Sequence, residues 1–261
     1  MRALLLVSVL FFTSLCVAKP QPMEAGIGVS LLRYDSREYD DDGSLLNRES
    51  GWLPALSGFL VMPLSARWRL RTEGELAYGT VDYQGQTQLG LPFNSSTDTG
   101  LYQGRVALGY CTSNCRQQFY AGLGGYLRTR DIDSRAGVNG LSERYRWAEW
   151  HLGLVQALQP DQPERWQLQA ELFYLSAAQM KVDLRFAGYG QPRILLPNSF
   201  GHRLGLNFKP RHSALTLKLS WQRLNINESK AVLASSSSST ILVSEPASEA
   251  DHWRLGVILP L

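Results

Sequence analysis

Hydrophobic and polar side chains alternate with a period of two along most of the chain. The clearest segment covers residues 66–83, where a mostly apolar series runs from Trp68 to Tyr78 and arginines and glutamates occupy the positions between. Because successive side chains of a β-strand point to opposite faces, the pattern predicts a strand with one apolar and one charged face. We find ten such segments, at approximately 24–34, 52–63, 66–83, 101–111, 117–128, 144–158, 165–180, 199–208, 214–224 and 252–261.

The links between these segments alternate in length. Short links lie at 64–65, 112–116, 159–164 and 209–213, and longer polar links lie at 35–51, 84–100, 129–143, 181–198 and 225–251. Ten antiparallel strands with short turns at one end and long loops at the other predict an up-and-down β-barrel. Both chain ends should lie on the short-turn side.

The spacing of aromatic residues distinguishes a membrane barrel from a water-soluble one. Trp68 and Tyr78 bracket the apolar face of one segment, and Trp166 and Tyr174 bracket that of another. Eight to ten residues at about 3.3 Å each, tilted by about 40°, give an apolar band roughly 20 to 25 Å tall between two aromatic rings. The sequence therefore predicts an all-β transmembrane barrel of about ten strands, with short periplasmic turns and long extracellular loops.

Composition and the N-terminal segment agree with this prediction. The chain has 261 residues, 44% of them hydrophobic, and a formal net charge of +3 that is too balanced for a nucleic-acid-binding surface. Arg2, an apolar stretch and small residues ending at Ala18 predict a signal peptide at 1–18 and a barrel domain at 19–261. Beyond the leader no apolar run is long enough for a transmembrane helix.

The leader, the ten amphipathic segments, the asymmetric links and the alternating last segment, His252 to Leu261, resemble those of proteobacterial outer-membrane β-barrel proteins. The resemblance implies a location in the bacterial outer membrane, contact with its lipid and lipopolysaccharide, and insertion by the barrel-assembly machinery, which reads the last strand. Most of that group end in Phe or Trp, and this chain ends in Leu261. Ten strands is also the size of the omptin proteases and of small adhesins.

Candidate catalytic groups are few. An omptin-like site needs paired acidic residues and an Asp-x-His pair near the long-loop rim to activate a water molecule. The chain has no Asp-x-His, and Asp82 and His202 fall on predicted lipid-facing positions. A deacylase-like His-x-Ser pair is also missing, because His212 and Ser213 are adjacent and lie in a predicted periplasmic turn.

We therefore expect a monomeric, non-enzymatic barrel with a structural or surface-interaction role. A narrow porin-like channel is the second hypothesis, and an outer-membrane hydrolase is the third.

Charged residues of both signs occupy the predicted lumen face. A barrel of ten strands has little spare interior width, so these groups should pair across the lumen and close it. An electrolyte-filled channel would carry the same residues in a solvated state. The predicted lumen charge network consists of Arg69, Arg71, Glu73, Glu75, Arg105, Glu149, His151, Glu171, Arg203, Lys218 and Arg254.

Two further sites follow from spacing. Cys111 and Cys115 flank a short turn between antiparallel strands, which predicts a disulfide in an exported protein. Five oxygen-bearing residues match the spacing of a calcium loop, with a glutamate where the motif has aspartate at its first position. This calcium loop would use Glu38, Asp40, Asp42, Ser44 and Glu49, and the alternative is a solvated acidic loop tip. No other cofactor is expected.

Overall fold

The structure is a computed structural model that describes residues 22–86, 90–112, 115–135 and 137–261. The predicted signal peptide at 1–18 lies outside these residues. Within them, no helix has the length and apolar character needed to cross a membrane. A short 3₁₀ turn lies at Arg185–Ala187.

The described residues form thirteen β-strands. Their bounds are β1 (Glu24–Tyr39), β2 (Leu45–Pro63), β3 (Trp68–Gln86), β4 (Pro92–Cys111), β5 (Gln117–Ile132), β6 (Leu141–Ala157), β7 (Trp166–Asp183), β8 (Arg193–Leu195), β9 (Ser199–Phe208), β10 (Thr216–Ile226), β11 (Val232–Ser235), β12 (Thr240–Val243) and β13 (Ala247–Pro260).

Ten of these strands close into an antiparallel barrel. Strands β1 to β7 pair in sequence, β9, β10 and β13 continue the wall, and β13 pairs with β1 to complete it. Strand β8 pairs with the far end of β7, and β11 and β12 form a separate hairpin. The predicted ten-stranded up-and-down barrel is confirmed.

The strands are strongly tilted to the barrel axis. Successive hydrogen-bonded partners, followed once around the wall from Thr72 on β3, lead back to β3 at Gln84, twelve positions further along. In a barrel of ten strands a shift of this size corresponds to a tilt of about 40°. Residues in register therefore rise steadily towards one end of the barrel from β2 to β6.

Many residues predicted to form long loops continue the strands instead. In place of a loop at 35–51, β1 extends to Tyr39 and β2 begins at Leu45. Strands β3 and β4 extend into 84–100, and β5 and β6 into 129–143, in the same way. These strand ends carry polar residues on both faces, so the alternation of apolar and polar positions that predicts a membrane-spanning strand is absent there. We call this the hairpin end of the barrel and the opposite end the turn end.

The outer face of the wall is apolar between two rings of aromatic side chains. At the turn end Trp166 stacks on Phe208 with ring centroids 4.2 Å apart, and at the hairpin end Tyr174 contacts Phe200 at 4.8 Å. Between the rings large aliphatic side chains point outward, such as Leu172, which is 68% exposed. This arrangement is typical of a surface that contacts lipid.

Candidate functional site

The barrel interior is the candidate site, and it is filled in three layers. The inward-facing residues of β6 show the order from the hairpin end: Glu143, then Tyr145 and Trp147, then Glu149 and His151. We call these levels the upper charged layer, the apolar layer and the lower charged layer. Each is built by strands that are far apart in the sequence, because the closed wall brings their inward faces together.

Arg105 is the centre of the lower charged layer. Its guanidinium donates to Glu73 at 2.7 Å and to Glu171 at 2.8 Å, and lies 3.5 Å from Glu149. Arg203 also donates to Glu171 and to the amide oxygen of Gln222. The Glu171 side chain is fully buried, so two guanidinium groups replace the water that would otherwise solvate its charge.

Neutral side chains add further hydrogen bonds to this layer. The Tyr120 hydroxyl donates to Glu171 at 2.9 Å and accepts a hydrogen bond from Gln169 at 2.8 Å. Gln103 donates to Glu149 at 2.7 Å, and His151 Nδ1 lies 3.6 Å from the same carboxylate. Charged and neutral groups thus form one continuous network across the lumen.

The structure places all the predicted lumen residues on the inner face of the wall. Besides the residues around Arg105, Arg71 pairs with Glu73, and Arg254 pairs with Glu75. Arg69 lies 3.5 Å from Glu24 near the turn end. Lys218 lines the same interior cavity as Glu73, and in the described part of the chain it makes no ion pair within 4.0 Å.

The apolar layer was not predicted from the sequence. It consists of two clusters of buried side chains that cross the lumen above the lower charged layer. Tyr126 stacks on Trp147 with ring centroids 4.6 Å apart and contacts both clusters. Other members are Leu32, Tyr34, Leu53, Ala77, Leu101, Tyr145, Phe173, Leu175, Met180 and Leu224.

Arg130 is the centre of the upper charged layer. It donates to Glu49 at 2.7 Å, and to Glu38 and Glu143 at 2.8 Å each. Glu49 also accepts hydrogen bonds from Arg128 at 3.1 Å and from Thr97 at 2.8 Å. All of these side chains are buried.

The connection between β12 and β13 adds a fourth carboxyl group to this layer. The Tyr145 hydroxyl lies 2.9 Å from Glu143 and 2.8 Å from Glu245. A hydroxyl has one proton to donate, so a proton on Glu245 completes both hydrogen bonds. Burial, together with the nearby charges of Glu38 and Glu143, raises the pKa of Glu245 well above its usual range.

The predicted calcium loop is not formed. Glu38 and Glu49 point into the lumen and bind arginines, whereas Asp40, Asp42 and Ser44 lie in the exposed turn between β1 and β2. There the Asp42 carboxylate accepts the backbone N–H of Ser44 at 2.8 Å. The structure does not bring the five residues together, because 38–49 is a β-hairpin whose alternation separates the carboxylates that a calcium loop would use. Within the described residues no cluster of three or more potential metal ligands occurs.

The two cysteines of the predicted disulfide lie at the turn end. Cys111 is buried and Cys115 half-buried, and both are free thiols in the structure. Their side chains are in hydrogen-bond contact with each other. The disulfide stays a prediction.

Little empty space lies in the lower charged layer. Two cavities there have volumes of about 50 Å³ and about 20 Å³. The larger cavity has space for a few water molecules and the smaller one for about one. They are lined by the network itself, including Glu73 and Arg105.

The residues weighed for hydrolysis are dispersed over the outside of the barrel. Asp82 is exposed on the outer face of β3, and His202 faces lipid, where its ring contacts Trp221 at 4.9 Å. His212 is exposed in the turn between β9 and β10. The structure does not bring these residues together.

The upper charged layer was not predicted, although the sequence carries a signal for it. The period-two alternation continues past the predicted strand ends, so Arg128 and Arg130 share the inner face with Gly122 and Gly124. The residues missed are Arg130 and Glu143, just beyond predicted segment ends, Arg128 and Tyr145, inside predicted segments, and Glu245, which lies in a connection. Glu38 and Glu49 were assigned to a metal site instead.

No family model matches the chain, and no curated protein matches it. Among solved structures, the outer membrane protease OmpT from Escherichia coli superposes with a TM-score of 0.53 at 9% sequence identity, covering 93% of this chain and 98% of that one. The chain has the fold of an outer-membrane β-barrel protein.

Two further similar structures superpose less closely. Neisserial surface protein A has a TM-score of 0.36 at 10% identity, covering 92% of this chain and 99% of its own. Ail of Yersinia pestis, solved with a heparin analogue, has a TM-score of 0.36 at 11% identity, covering 92% of this chain and 100% of its own.

Proposed function

We propose that this protein is a closed, non-conducting barrel of the bacterial outer membrane that presents its extended hairpins outside the cell as an interaction surface. The observation that carries the proposal is the three-layer filling of the lumen. A guanidinium–carboxylate network, an apolar layer and a second buried charged layer lie in series along the axis. An ion crossing the barrel would have to displace all three.

The outer face supports the membrane location. Its apolar belt between two aromatic rings matches the surface that outer-membrane barrels present to lipid. The strands continue beyond the hairpin-end ring, as in β1 and β2, which meet only at Tyr39 and Leu45. Polar hairpins that project beyond the aromatic ring support the proposed interaction surface outside the cell. The barrel is complete as a single chain, which agrees with a monomer.

Electrical recording tests the proposal. Mature protein, folded in detergent and added to a planar bilayer, should give no steady single-channel current, whereas an open porin in the same bilayer should. A variant that removes filling from all three layers, Arg105→Ala with Phe173→Ala and Arg130→Ala, should leak. The matched control Arg223→Ala with Glu249→Ala, which removes an outward-facing pair, should not. Stable ohmic channels from the unaltered protein would establish the narrow porin-like alternative.

The proposal also assigns the protein no enzymatic role. Its support is that Asp82, His202 and His212 are scattered over outer surfaces. Incubation with a peptide library and with lipid A, analysed by mass spectrometry, checks this point. Turnover of either substrate by folded barrel would establish the hydrolase alternative.

A further inference from the structure

Three cations lie directly opposite one another on the outer face near the hairpin end. Arg144 on β6 is in register with Lys181 on β7, and Lys181 is in register with Arg193 on β8. All three side chains are exposed. We call them the basic row. Like charges directly opposite on neighbouring strands are destabilising, so this arrangement works against the fold unless something else is bound.

Three other outward-facing arginines of the hairpin end have partners of opposite charge. Arg223 pairs with Glu249 at 2.7 Å, Arg37 pairs with Asp35 at 3.1 Å, and Arg185 pairs with Asp183 at 2.6 Å. In the described part of the chain, no residue of the basic row has a carboxylate within 4.0 Å. The local carboxylate, Asp183, is occupied by Arg185 and Gln191. The basic row therefore offers unpaired positive charge to an external anion.

The position of the basic row indicates which anion it meets. On β6 it lies beyond Trp150 and on β7 beyond Tyr174, both members of the hairpin-end aromatic ring. That ring marks the boundary of the apolar band, where phosphorylated lipid headgroups begin. Arg146, two residues closer to the ring than Arg144 on the same face, extends the positive surface towards this boundary.

A groove in the lipid-facing wall leads down from the same place. Small residues occupy five adjacent strands in register: Gly58, Gly74, Gly104, Gly125 and Ala148. A Cβ atom added at Gly74, Gly104 or Gly125 would meet nothing within 4 Å. Leu76, Tyr102 and Leu127 form one side, and Arg146 lies at the upper end.

The groove is long enough for one acyl chain and has a volume of about 880 Å³. Four interstrand spacings of about 4.8 Å give a length of about 19 Å, compared with about 15 Å for half of a bilayer's hydrocarbon core. Because register rises from β2 to β6, the groove descends from the headgroup level beside Ala148 to the middle of the apolar band at Gly58. It is thus oriented as a lipid chain would be.

We propose that the basic row and the groove together bind one lipid A moiety of lipopolysaccharide, with its phosphate on Arg144, Lys181 and Arg193 and one acyl chain along the groove. This inference rests on the proposed outer-membrane location. It adds a defined lipid site, formed by β2 to β8, that neither the barrel fold nor the closed lumen requires.

The charge repulsion predicts that the variant is the more stable protein without lipid A and the less stable one with it. In lipid-free detergent, Arg144→Gln with Lys181→Gln should raise the melting temperature of the folded barrel, because the substitutions relieve repulsion. With added bisphosphorylated lipid A the order should reverse, because the unaltered protein gains stability and the variant binds at least tenfold more weakly. The control Arg37→Gln with Arg223→Gln, at paired positions on the same rim, should leave lipid A affinity unchanged.

The two parts of the site can be tested separately. Gly74→Leu with Gly104→Leu should fold normally, since both side chains enter open space, and should weaken lipid A binding about tenfold. Ala170→Leu, which faces lipid on β7 away from the groove, is the matched control. Dephosphorylated lipid A should bind the unaltered protein as weakly as lipid A binds the basic-row variant, and inorganic phosphate should bind more weakly still.

Equal lipid A affinity in the unaltered protein and the basic-row variant would overturn the site. So would inorganic phosphate that stabilises as much as lipid A, or groove variants that bind as tightly as the control. Vesicle insertion and bilayer conductance, measured on the same preparations, report separately on the proposed function. A barrel that inserts and stays closed without preferring lipid A would therefore refute only the lipid site.

Discussion

Arg105 on β4 donates to Glu171 on β7 at 2.8 Å, although β5 and β6 separate these strands in the barrel wall. The hydrogen bond therefore spans the lumen rather than following the sheet. It lies in the lower charged layer, where both side chains are almost wholly buried. A buried ion pair adds little net stability over an apolar equivalent, but removing one partner leaves an uncompensated charge.

The first prediction follows from this asymmetry. We expect Glu171→Ala to lower the unfolding free energy by about 3 to 5 kcal/mol, because it leaves Arg105 and Arg203 buried without their shared carboxylate. The control Glu164→Ala removes an exposed pair with Lys209 and should cost no more than about 1 kcal/mol. Denaturant titration in phospholipid vesicles measures both. Equal losses would mean that water solvates the lumen charges.

The second prediction concerns the outer face. Leu219 is 44% exposed on β10, within the apolar band, whereas its neighbour Lys218 faces the lumen. Leu219→Arg should cost about 2 to 4 kcal/mol, since it places a charge in lipid near the middle of the band. Lys218→Ala should cost much less. The reverse order in the same vesicle titration would show that the two faces are interchanged.

The third prediction is a pH dependence due to Glu245. Its pKa is raised above the ordinary value of 4.5, chiefly by burial. The contribution of protonated Glu245 to the unfolding free energy is therefore fully present below pH 4.5. It is lost as the pH rises from 4.5 through the raised pKa, because over this range the carboxyl group ionises in the unfolded chain and stays protonated in the folded one. Glu245→Gln, which mimics the protonated form, should be more stable than the unaltered protein at pH 8 and similar at pH 4. Melting curves across this range would contradict the assignment if both proteins changed in parallel.

The fourth prediction compares glycines on the two faces of the wall. At Gly122, which faces the lumen, an added Cβ would lie 2.2 Å from the carbonyl oxygen of Val106, a backbone atom that cannot move aside easily. At Gly104, which faces lipid, it would meet nothing within 4 Å. We expect Gly122→Ala to reduce the folded fraction on unboiled gels and Gly104→Ala to leave it unchanged. Comparable yields of both would indicate that the wall at Gly122 relaxes.

The fifth prediction concerns the cysteines. Cys111 and Cys115 lie at the turn end, close enough for their side chains to be in hydrogen-bond contact. In protein exported to the oxidising periplasm we expect them to be joined. Alkylation of protein unfolded without reductant should label neither, and should label both after reduction. Labelling of both without reductant would show that they remain thiols.

The sequence by itself determined the class of the fold. Alternation within each segment, as in 66–83, predicted the strands in their order, and the bracketing of apolar faces by residues such as Trp68 and Tyr78 predicted which face meets lipid. These are local properties, because one segment alone shows which of its faces is apolar and how many residues separate its two aromatic ends. The inward position of Arg105 and Glu171 followed in the same way.

Only the tertiary structure decided which inward residues meet. Closure of the barrel with a register shift of twelve positions brings Glu38 and Glu49 to Arg130 of β5. Each glutamate is more than eighty positions away from Arg130 in the sequence. The same closure stacks an apolar layer between two charged ones and brings Glu245 from a connection onto Tyr145. It also sets Arg144, Lys181 and Arg193 side by side. Register between strands depends on the whole closed wall, and alternation along a single strand carries no information about it.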